Sequence, residues 1–466
     1  TDSSIVMRLP YGENAYIDHI YTLAPDSYMM DFKVRMVGMD RYMSRNMSKL
    51  GVDWSVDIPR LERGYENEKN YSTIAYKFPG DDAVEDLGLR KASSSEDITT
   101  KVEWFAFQQQ FFSAIMVADN EFNGGELSYK FYDVADADAR LMDCQAKMTV
   151  DYNAAEVVEI PFSFYYGPNL YKELKSYGYG FEKIVPLGGW LIGWINRVLI
   201  INFFDYLSRI ISNFGVIILL MTIAIKLLIS PLTLKSYISS AKMRVLKPEI
   251  DKINEKYPKQ EDAMKKQQEI MALYKKTGVS MFGGCLPMLL QFPILFAMFR
   301  FFPASFELRQ QGFLWADDLS TYDAIFELPF HIPLYGDHVS LFAILMAVSM
   351  YFYSKMNMDQ MPSGNEMAGM RTMQLYFMPI FLLVLCNNFS SGLSYYYMLS
   401  NLFTIAQTWV IRKYFVDEKK LYAQLQAKAA NAKAPKKSKF QQRLDEMYKQ
   451  QQELQRQQQQ MRNNKR

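Results

Sequence analysis

The stretch from 213 to 232 constrains the fold of this chain more than any other feature. It reads NFGVIILLMTIAIKLLISPL, and Lys226 is its only charged residue. Twenty helical residues rise about 30 Å, which is the thickness of the hydrocarbon core of a bilayer. The segment therefore predicts a membrane-spanning helix, although 49% hydrophobic residues and a mean hydropathy of −0.14 would fit an ordinary soluble protein.

Further apolar stretches follow, each shorter or more polar than lipid alone would favour. They cover residues 284–303, 339–354, 373–389 and 392–411. Polar residues in such spans are expected when the helices pack as a bundle that also lines a polar cavity. Residues 190–211 mix tryptophan and aliphatic side chains with charged ones, which predicts an amphipathic helix in the membrane interface; a buried soluble helix is the alternative. We therefore predict an α-helical membrane core of five spans, over residues 184–412.

The distribution of lysine and arginine predicts the orientation. The loop 233–281 carries 11 basic and 6 acidic residues, whereas the loop 304–338 carries 1 basic and 6 acidic residues. Residues 1–186 have a net charge of −11, and residues 412–466 have a net charge of +10. Because basic loops stay in the cytosol, the acidic head is predicted to lie outside and the tail, 413–466, inside.

The head, residues 1–183, is predicted to be a separate all-β domain. Apolar and polar residues alternate in 28–36, 148–152 and 158–164, which is typical of half-buried antiparallel strands. An external head needs an export signal or an earlier span, yet residues 1–20 contain no apolar run. We therefore expect the natural protein to carry a signal-anchor helix before residue 1.

The sequence does not carry the motifs of the common enzyme classes. Cys144, Cys285 and Cys386 are too widely spaced for a metal site, and the chain has only three histidines. It contains no HExxH, phosphate loop, GxGxxG or GxSxG pattern. We therefore expect no enzymatic activity, no metal and no cofactor.

Lys226 is the most informative single residue. A lysine at the centre of an isolated span costs about 3 kcal/mol on insertion scales. It lies five residues before Pro231, about 8 Å along the helix from the cytosolic interface, so its side chain could reach the interface or face a water-filled cavity. Polar residues in the spans offer partners for such a cavity, with hydrogen bonding between packed helices as the alternative. They are Thr222, Gln291, Tyr397, Ser400, Asn401 and Thr404.

The loop 233–281 is predicted to form a cytosolic helical hairpin with a break at 257–259. Its basic residues form either a solvated face or a docking surface for substrate segments, anionic lipids or ribosomal RNA. They include Lys242, Arg244, Lys247 and Lys252. The Lys-, Ala- and Gln-rich tail is either an inert segment or a ribosome-binding one, whose affinity would fall with salt.

Several stretches resemble the YidC family of membrane protein insertases. Those of the membrane part read SPLTLKSYISSAKMRVLKPEI, MALYKKTGVSMFGGCLPMLLQFPIL, FELRQQGFLWADDLS and SGLSYYYMLSNLFTIAQ. In the head, VEWFAFQQQFFSAIMV and FYYGPNLYKEL are similar to the large periplasmic domain of Gram-negative members. The resemblance implies five core helices around a hydrophilic groove, a periplasmic β-sandwich and an additional N-terminal span.

The resemblance also implies a function and a location. The chain is expected to insert and fold proteins of the bacterial inner membrane as an insertase and chaperone, alone or with the Sec translocon. Nascent membrane proteins are its implied substrates, and neither nucleotide hydrolysis nor a cofactor is implied. A polytopic transporter or channel is the alternative, although the spans carry no carboxylate for proton coupling. An assembly scaffold with an acidic head is a further possibility.

Site residues carry over by position. Thr222 and Tyr397 match groove residues of the family, while Phe292 and Pro293 match substrate-contact positions. Lys226 stands where most members have arginine, and a lysine can attract acidic groups but cannot form the two-pronged hydrogen bonds of a guanidinium. Ser390 stands where a proline often precedes Ser-Gly-Leu, a change that we expect to have little effect.

Overall fold

The computed structural model describes residues 3–136, 138–258, 262–279, 286–358 and 368–430. The chain forms two compact units. The first comprises Thr1–Leu228, Leu290–Lys355 and Gly369–Ile405, and the second comprises Ile229–Leu289, Met356–Ala368 and Ala406–Arg466. The first two residues of the predicted span 284–303 and the tail from residue 431 lie outside the described residues.

The head is built from antiparallel strands in two sheets. Its strands are β1 Ser4–Gly12, β2 Ala15–Leu23, β3 Met29–Val37, β4 Lys49–Pro59, β5 Thr73–Lys77, β6 Glu85–Asp86, β7 Ser93–Ile98, β8 Val102–Gln108, β9 Phe112–Phe122, β10 Gly125–Phe131, β11 Arg140–Asp151 and β12 Val157–Pro168. The larger sheet has the order β1-β2-β3-β12-β9-β8-β5-β6, and the smaller has the order β4-β11-β10-β7. A short helix, α1 (Tyr65–Asn70), joins β4 to β5.

The two sheets share one apolar core, which confirms the prediction of an all-β sandwich. Phe105 and Phe107 from the larger sheet and Met142 and Cys144 from the smaller one are fully or almost fully buried in the same cluster. Trp54 of β4 packs against them, with its ring centroid 4.5 Å from that of Phe107. The period-two alternation noted in the sequence arises because successive side chains of a strand point to opposite faces.

Helices dominate the rest of the chain. They are α2 Tyr171–Ser176, α3 Trp190–Ile195, α4 Ile201–Ser208, α5 Phe214–Val245, α6 Lys247–Lys256, α7 Ala263–Thr277, α8 Leu286–Ala304, α9 Leu341–Met358, α10 Ala368–Thr372, α11 Met378–Cys386, α12 Ser391–Tyr414 and α13 Glu418–Ala430. A π-helical turn over Asn196–Ile200 joins α3 to α4, and another over Met373–Phe377 precedes α11. Two strands, β13 (Phe326–Ile332) and β14 (Gly336–Val339), form a hairpin in the loop before α9.

Within the described residues, one helix, Phe214–Val245, is long and apolar enough to cross a membrane; Met373–Cys386 is a shorter apolar helix. The count of five spans therefore stays a prediction. Large apolar side chains on the helices of the first unit are nevertheless exposed, among them Leu227 at 67%, Phe352 at 55% and Ile380 at 62%. Side chains of this kind on several helices are expected where the surface meets lipid rather than water.

The second unit contains two helices, α6 and α7, in the loop 233–281, where the sequence predicts a helical hairpin. Helix α6 ends at Lys256, just before Pro258, and α7 ends at Thr277, where Gly278 adopts a positive φ of 67° that closes the helix. Helix α5 continues through Pro231 to Val245, although a proline cannot donate the usual backbone hydrogen bond. The hairpin core also contains Leu425 of α13, which is 2% exposed. The first part of the predicted tail is thus helical and packed.

A buried carboxyl in the head gives a pH-dependent stability. Glu68 on α1 is 1% exposed and accepts hydrogen bonds from the backbone N–H groups of Leu61 (3.1 Å) and Glu62 (3.3 Å). Burial raises the pKa of Glu68 from 4.5 to about 7. Between these two pKa values the folded head holds a proton that the unfolded chain has released. The stabilisation that comes from protonated Glu68 is therefore complete at low pH and is lost as the pH rises through 7.

We expect Glu68 to lower the free energy of unfolding by about 2 kcal/mol between pH 5 and pH 7. Denaturant titrations of wild type and Glu68→Gln at both pH values measure this, because glutamine is neutral throughout and removes the contribution. An equal pH dependence in the two proteins would contradict it.

Candidate functional site

Lys226 and Thr404 meet within the first unit, from helices α5 and α12. The Lys226 ammonium donates a hydrogen bond of 2.8 Å to Thr404 Oγ1, and the Thr404 hydroxyl donates one of 2.7 Å to the Ser400 carbonyl oxygen. The described part of the chain places no carboxylate within ion-pair distance of Lys226. A neutral hydroxyl is thus its observed partner, so the positive charge is not cancelled locally.

Tyr397 joins α12 to α8. Its hydroxyl donates to the carbonyl oxygen of Leu295 over 3.3 Å, next to the polar row of Ser400, Asn401 and Thr404 on the same helix. Phe292 and Pro293 lie in the turn of α8 that precedes Leu295.

Asn401 connects α12 to α9, a contact that sequence reasoning missed. Its side-chain nitrogen donates to Ser349 Oγ over 3.1 Å, and the buried Ser349 hydroxyl donates to the Met346 carbonyl oxygen over 2.7 Å. The sequence contains one sign of this contact, which is the presence of a small polar residue, Ser349, in the predicted span 339–354. This contact is the arrangement expected from the alternative interpretation of these residues, in which they form hydrogen bonds between packed helices.

The other predicted site residues form no hydrogen bond with Lys226 in the described part of the chain. Thr222 is fully buried and donates to the carbonyl of Ile218 in its own helix at 2.7 Å. Gln291 and Pro293 are half-buried on α8, and Phe292 is 36% exposed, stacked on Phe296 with ring centroids 6.1 Å apart. An exposed aromatic pair on an apolar helix is a surface that a lipid chain or another apolar helix can contact.

The basic residues predicted for the hairpin lie in the second unit. Lys247 and Lys252 are exposed on α6, and Lys242 is half-buried near the end of α5. Arg244 is instead engaged, since it forms an ion pair of 2.8 Å with Glu418 of α13. The four therefore do not form one uniform solvated face.

Elsewhere in the first unit, hydrogen bonds tie the loop 304–338 to the beginning of α12. The Ser390 hydroxyl donates to the Leu319 carbonyl oxygen over 2.6 Å, and the Ser391 backbone N–H donates to the Thr321 carbonyl oxygen over 2.7 Å. A proline at position 390 would lack the first of these bonds, so the serine has a structural role. Asn387 adds two more bonds, to the carbonyl oxygens of Tyr335 and His338.

The arrangement has a clear chemical character. A cation, several hydroxyls and an amide are gathered between helices whose outward side chains are apolar. Such a set can hold polar or acidic groups of another chain inside an apolar layer, where these groups would otherwise lose their hydrogen bonds to water. Within the described residues, no group of three or more metal-ligating side chains is found.

Comparisons with known proteins cover nearly the whole chain. Residues 206–420 match the family described as 60Kd inner membrane protein, and residues 1–201 match the YidC periplasmic domain. The chain is 45% identical to the membrane protein insertase YidC of Bacteroides fragilis, over 97% of this chain and 74% of that protein. It is 43% identical to the protein of the same name from Parabacteroides distasonis, over 97% and 72%, and 39% identical to that of Porphyromonas gingivalis W83, over 98% and 74%.

Proposed function

This chain belongs to the YidC family of membrane protein insertases, and from that premise we propose that it inserts nascent membrane proteins along a polar path between α5, α8, α9 and α12. The family is not a classical enzyme family, and the chain is an inner-membrane protein with a periplasmic β-sandwich domain. The contact between Lys226 and Thr404 carries the proposal, because it places an uncancelled positive charge inside an apolar helical bundle.

The proposed path begins on the cytosolic side. A short polar external segment of the substrate enters between the helices, where the charge of Lys226 attracts its acidic residues. Hydroxyl and amide groups of Thr404, Asn401 and Tyr397 replace part of the water that the segment loses, which lowers the cost of bringing polar backbone into the membrane.

Completion follows from the hydrophobic effect. The apolar helix of the substrate leaves the path beside α8 and α12, where Phe292 is exposed, and enters the lipid. Each buried CH₂ group contributes about 0.8 kcal/mol, so an apolar helix makes the step favourable without nucleotide hydrolysis. The half-buried Tyr397 and the exposed Phe292 therefore mark an inner and an outer point of one route.

Further partners and the topology belong to the same proposal. The head faces the periplasm, the hairpin and tail face the cytosol, and five helices span the membrane. The exposed lysines of the hairpin and the basic tail contact the ribosome or anionic lipids, and the chain acts alone or beside the Sec translocon. The charge asymmetry between the loops 233–281 and 304–338 supports this orientation.

Site-specific photocrosslinking in membranes tests the route. A probe at Tyr397, and another at Phe292, is combined with ribosomes stalled on single-span nascent chains of increasing length. We expect crosslinks to the nascent chain at both positions, within a limited range of chain lengths. A probe at Ile380, which is 62% exposed on α11, is the control for random collision with lipid-facing positions.

The outcomes separate the possible functions. Crosslinks at Tyr397 and Phe292 exceeding those at Ile380 support the proposed route. Equal yields at all three positions would show that substrate merely diffuses past the helices, and silence at both Tyr397 and Phe292 would contradict the path.

A further inference from the structure

Two arginines face one cavity in the second unit. The cavity has a volume of about 280 Å³ and is lined by Arg244, Arg412, Val416 and Glu418. Arg244 lies near the end of α5, Arg412 lies near the end of α12, and Glu418 begins α13. Two guanidinium groups against one carboxylate leave the lining with a net positive charge.

The protein holds both guanidinium groups in place. Arg412 Nε donates to the Tyr237 hydroxyl over 2.5 Å, and its Nη2 donates to the Met356 carbonyl oxygen over 3.4 Å. Arg244 Nη2 lies 2.8 Å from Glu418 Oε1. Arg244 Nε is buried and has no hydrogen-bond partner among the described residues. The pair is thus positioned in advance, and part of the donor capacity of Arg244 is unused.

The sequence around Arg412 has the side chains of a membrane interface. Trp409, Tyr414 and Phe415 flank Arg412 in sequence and are 55%, 67% and 60% exposed. Aromatic residues concentrate at the level of the lipid head groups, where one end of the ring is in apolar and the other in polar surroundings. Arg412 lies between Trp409 and Tyr414 on the same helix, and the proposed position of α12 puts this part of the helix near the lipid head groups.

We propose that this cavity binds the phosphate of an anionic phospholipid head group between Arg244 and Arg412. Guanidinium groups match phosphate oxygens with paired, charge-assisted hydrogen bonds. Glu418 competes for Arg244 and turns away when the phosphate enters, so it sets the affinity. The inference adds a lipid site to the proposed insertase function, and it rests on the proposed position of these helices at the cytosolic interface.

Phospholipid fits the cavity better than RNA. A site for ribosomal RNA would lie on the exposed part of the hairpin, whereas Arg412 of this cavity is flanked in sequence by three exposed aromatic side chains suited to the lipid boundary. The lipid must also carry a net negative charge, because a choline group would bring a further positive charge towards the two arginines.

Lipid binding to the purified full chain tests the proposal. Native mass spectrometry in detergent counts bound phosphatidylglycerol against phosphatidylcholine, and a separate titration uses inorganic phosphate. We expect preferential binding of phosphatidylglycerol, weakened about tenfold by Arg244→Gln or Arg412→Gln, because each removes a charge-assisted hydrogen bond. Lys355→Gln is the matched control, since it removes the same charge from an exposed position near the end of α9.

Glu418→Gln separates binding from a structural role. Removing the competing carboxylate should strengthen phosphatidylglycerol binding, whereas a merely structural ion pair would give weaker binding when it is broken. Equal loss in Lys355→Gln, equal binding of the two lipids, or phosphate binding as tightly as phosphatidylglycerol would each overturn the lipid site. Loss of ribosome binding by the arginine variants, with lipid binding unchanged, would overturn it in favour of RNA. Insertion is assayed on the same variants, so failure of the lipid site is distinguishable from failure of the insertase function.

Discussion

Lys226→Ala should slow the insertion of substrates with acidic external segments about 30-fold. A substrate carboxylate about 8 Å from the ammonium, in a medium of effective dielectric constant near 20, is attracted by about 2 kcal/mol. Nothing in the described residues cancels this charge, because Thr404 is a neutral partner. The measurement is the rate at which the external segment of a pulse-labelled substrate becomes accessible to protease on the periplasmic side.

Three comparisons make the result specific. Lys226→Arg keeps the charge and should retain most of the rate. Lys355→Ala removes an exposed lysine near the end of α9 and should leave the rate unchanged. A substrate whose external segment carries no acidic residue should respond weakly to Lys226→Ala. Normal insertion of the acidic substrate by Lys226→Ala would remove this lysine from the mechanism.

Thr404 refines the same test. Thr404→Val removes the hydroxyl that accepts the hydrogen bond from Lys226, while Thr404→Ser keeps it. If the hydroxyl fixes the ammonium in the path, valine should lower the rate and serine should not. Equal rates for the two variants would show that the charge acts without being positioned.

The sequence predicted the head well because its signal is local. Alternation along 28–36 and 158–164 reflects the two faces of β3 and β12, and each strand shows it without reference to the others. The pairing of those strands depends on residues more than a hundred positions apart, as in Ile160 opposite Val34. Periodicity within one strand contains no information on such a partner, so the sheet order had to come from the structure.

In the candidate site, too, single residues could be predicted from the sequence, whereas the contacts between them could not. Lys226 and Thr404 were both singled out as polar residues in apolar spans, yet 178 positions separate them and no spacing rule joins them. Ser349 escaped notice because one small hydroxyl in an apolar span is common. The packing of Leu425 was overlooked because the surrounding tail is rich in Lys, Ala and Gln, although Leu421 and Leu425 have helical spacing.

Arg309→Ala should cost about 4 kcal/mol of folding free energy, because it leaves a buried carboxylate without its partner. Arg309 lies in the loop after α8, and its Nε donates to Glu62 Oε1 of the head over 2.8 Å. The side chains are only 16% and 9% exposed, and the guanidinium also lies 5.1 Å from the centre of the Phe112 ring. Burial raises the pKa of Glu62 even beside this arginine, so the carboxylate depends on the pair for its charge.

The neighbouring Arg63 supplies a matched control for Arg309. It pairs with Glu327 at 3.1 Å and also joins the head to the loop before α9, but its side chain is 42% exposed and that of Glu327 is 76% exposed. Because water screens such a pair, Arg63→Ala should cost less than about 1 kcal/mol. Denaturant titration of the purified protein compares the two variants, and similar losses would show that burial of the Glu62–Arg309 pair is not what stabilises this contact.

Insertion by the same variants shows what the contact is for. The proposed path uses the helices and not the head, so Arg309→Ala should retain insertion at temperatures where the protein stays folded. Glu62→Gln together with Arg309→Gln removes both charges and should recover part of the lost stability, since no buried carboxylate is left unpaired. If insertion instead falls with Arg309→Ala while the fold remains intact, and the double variant does not restore it, the head takes part in insertion through this ion pair.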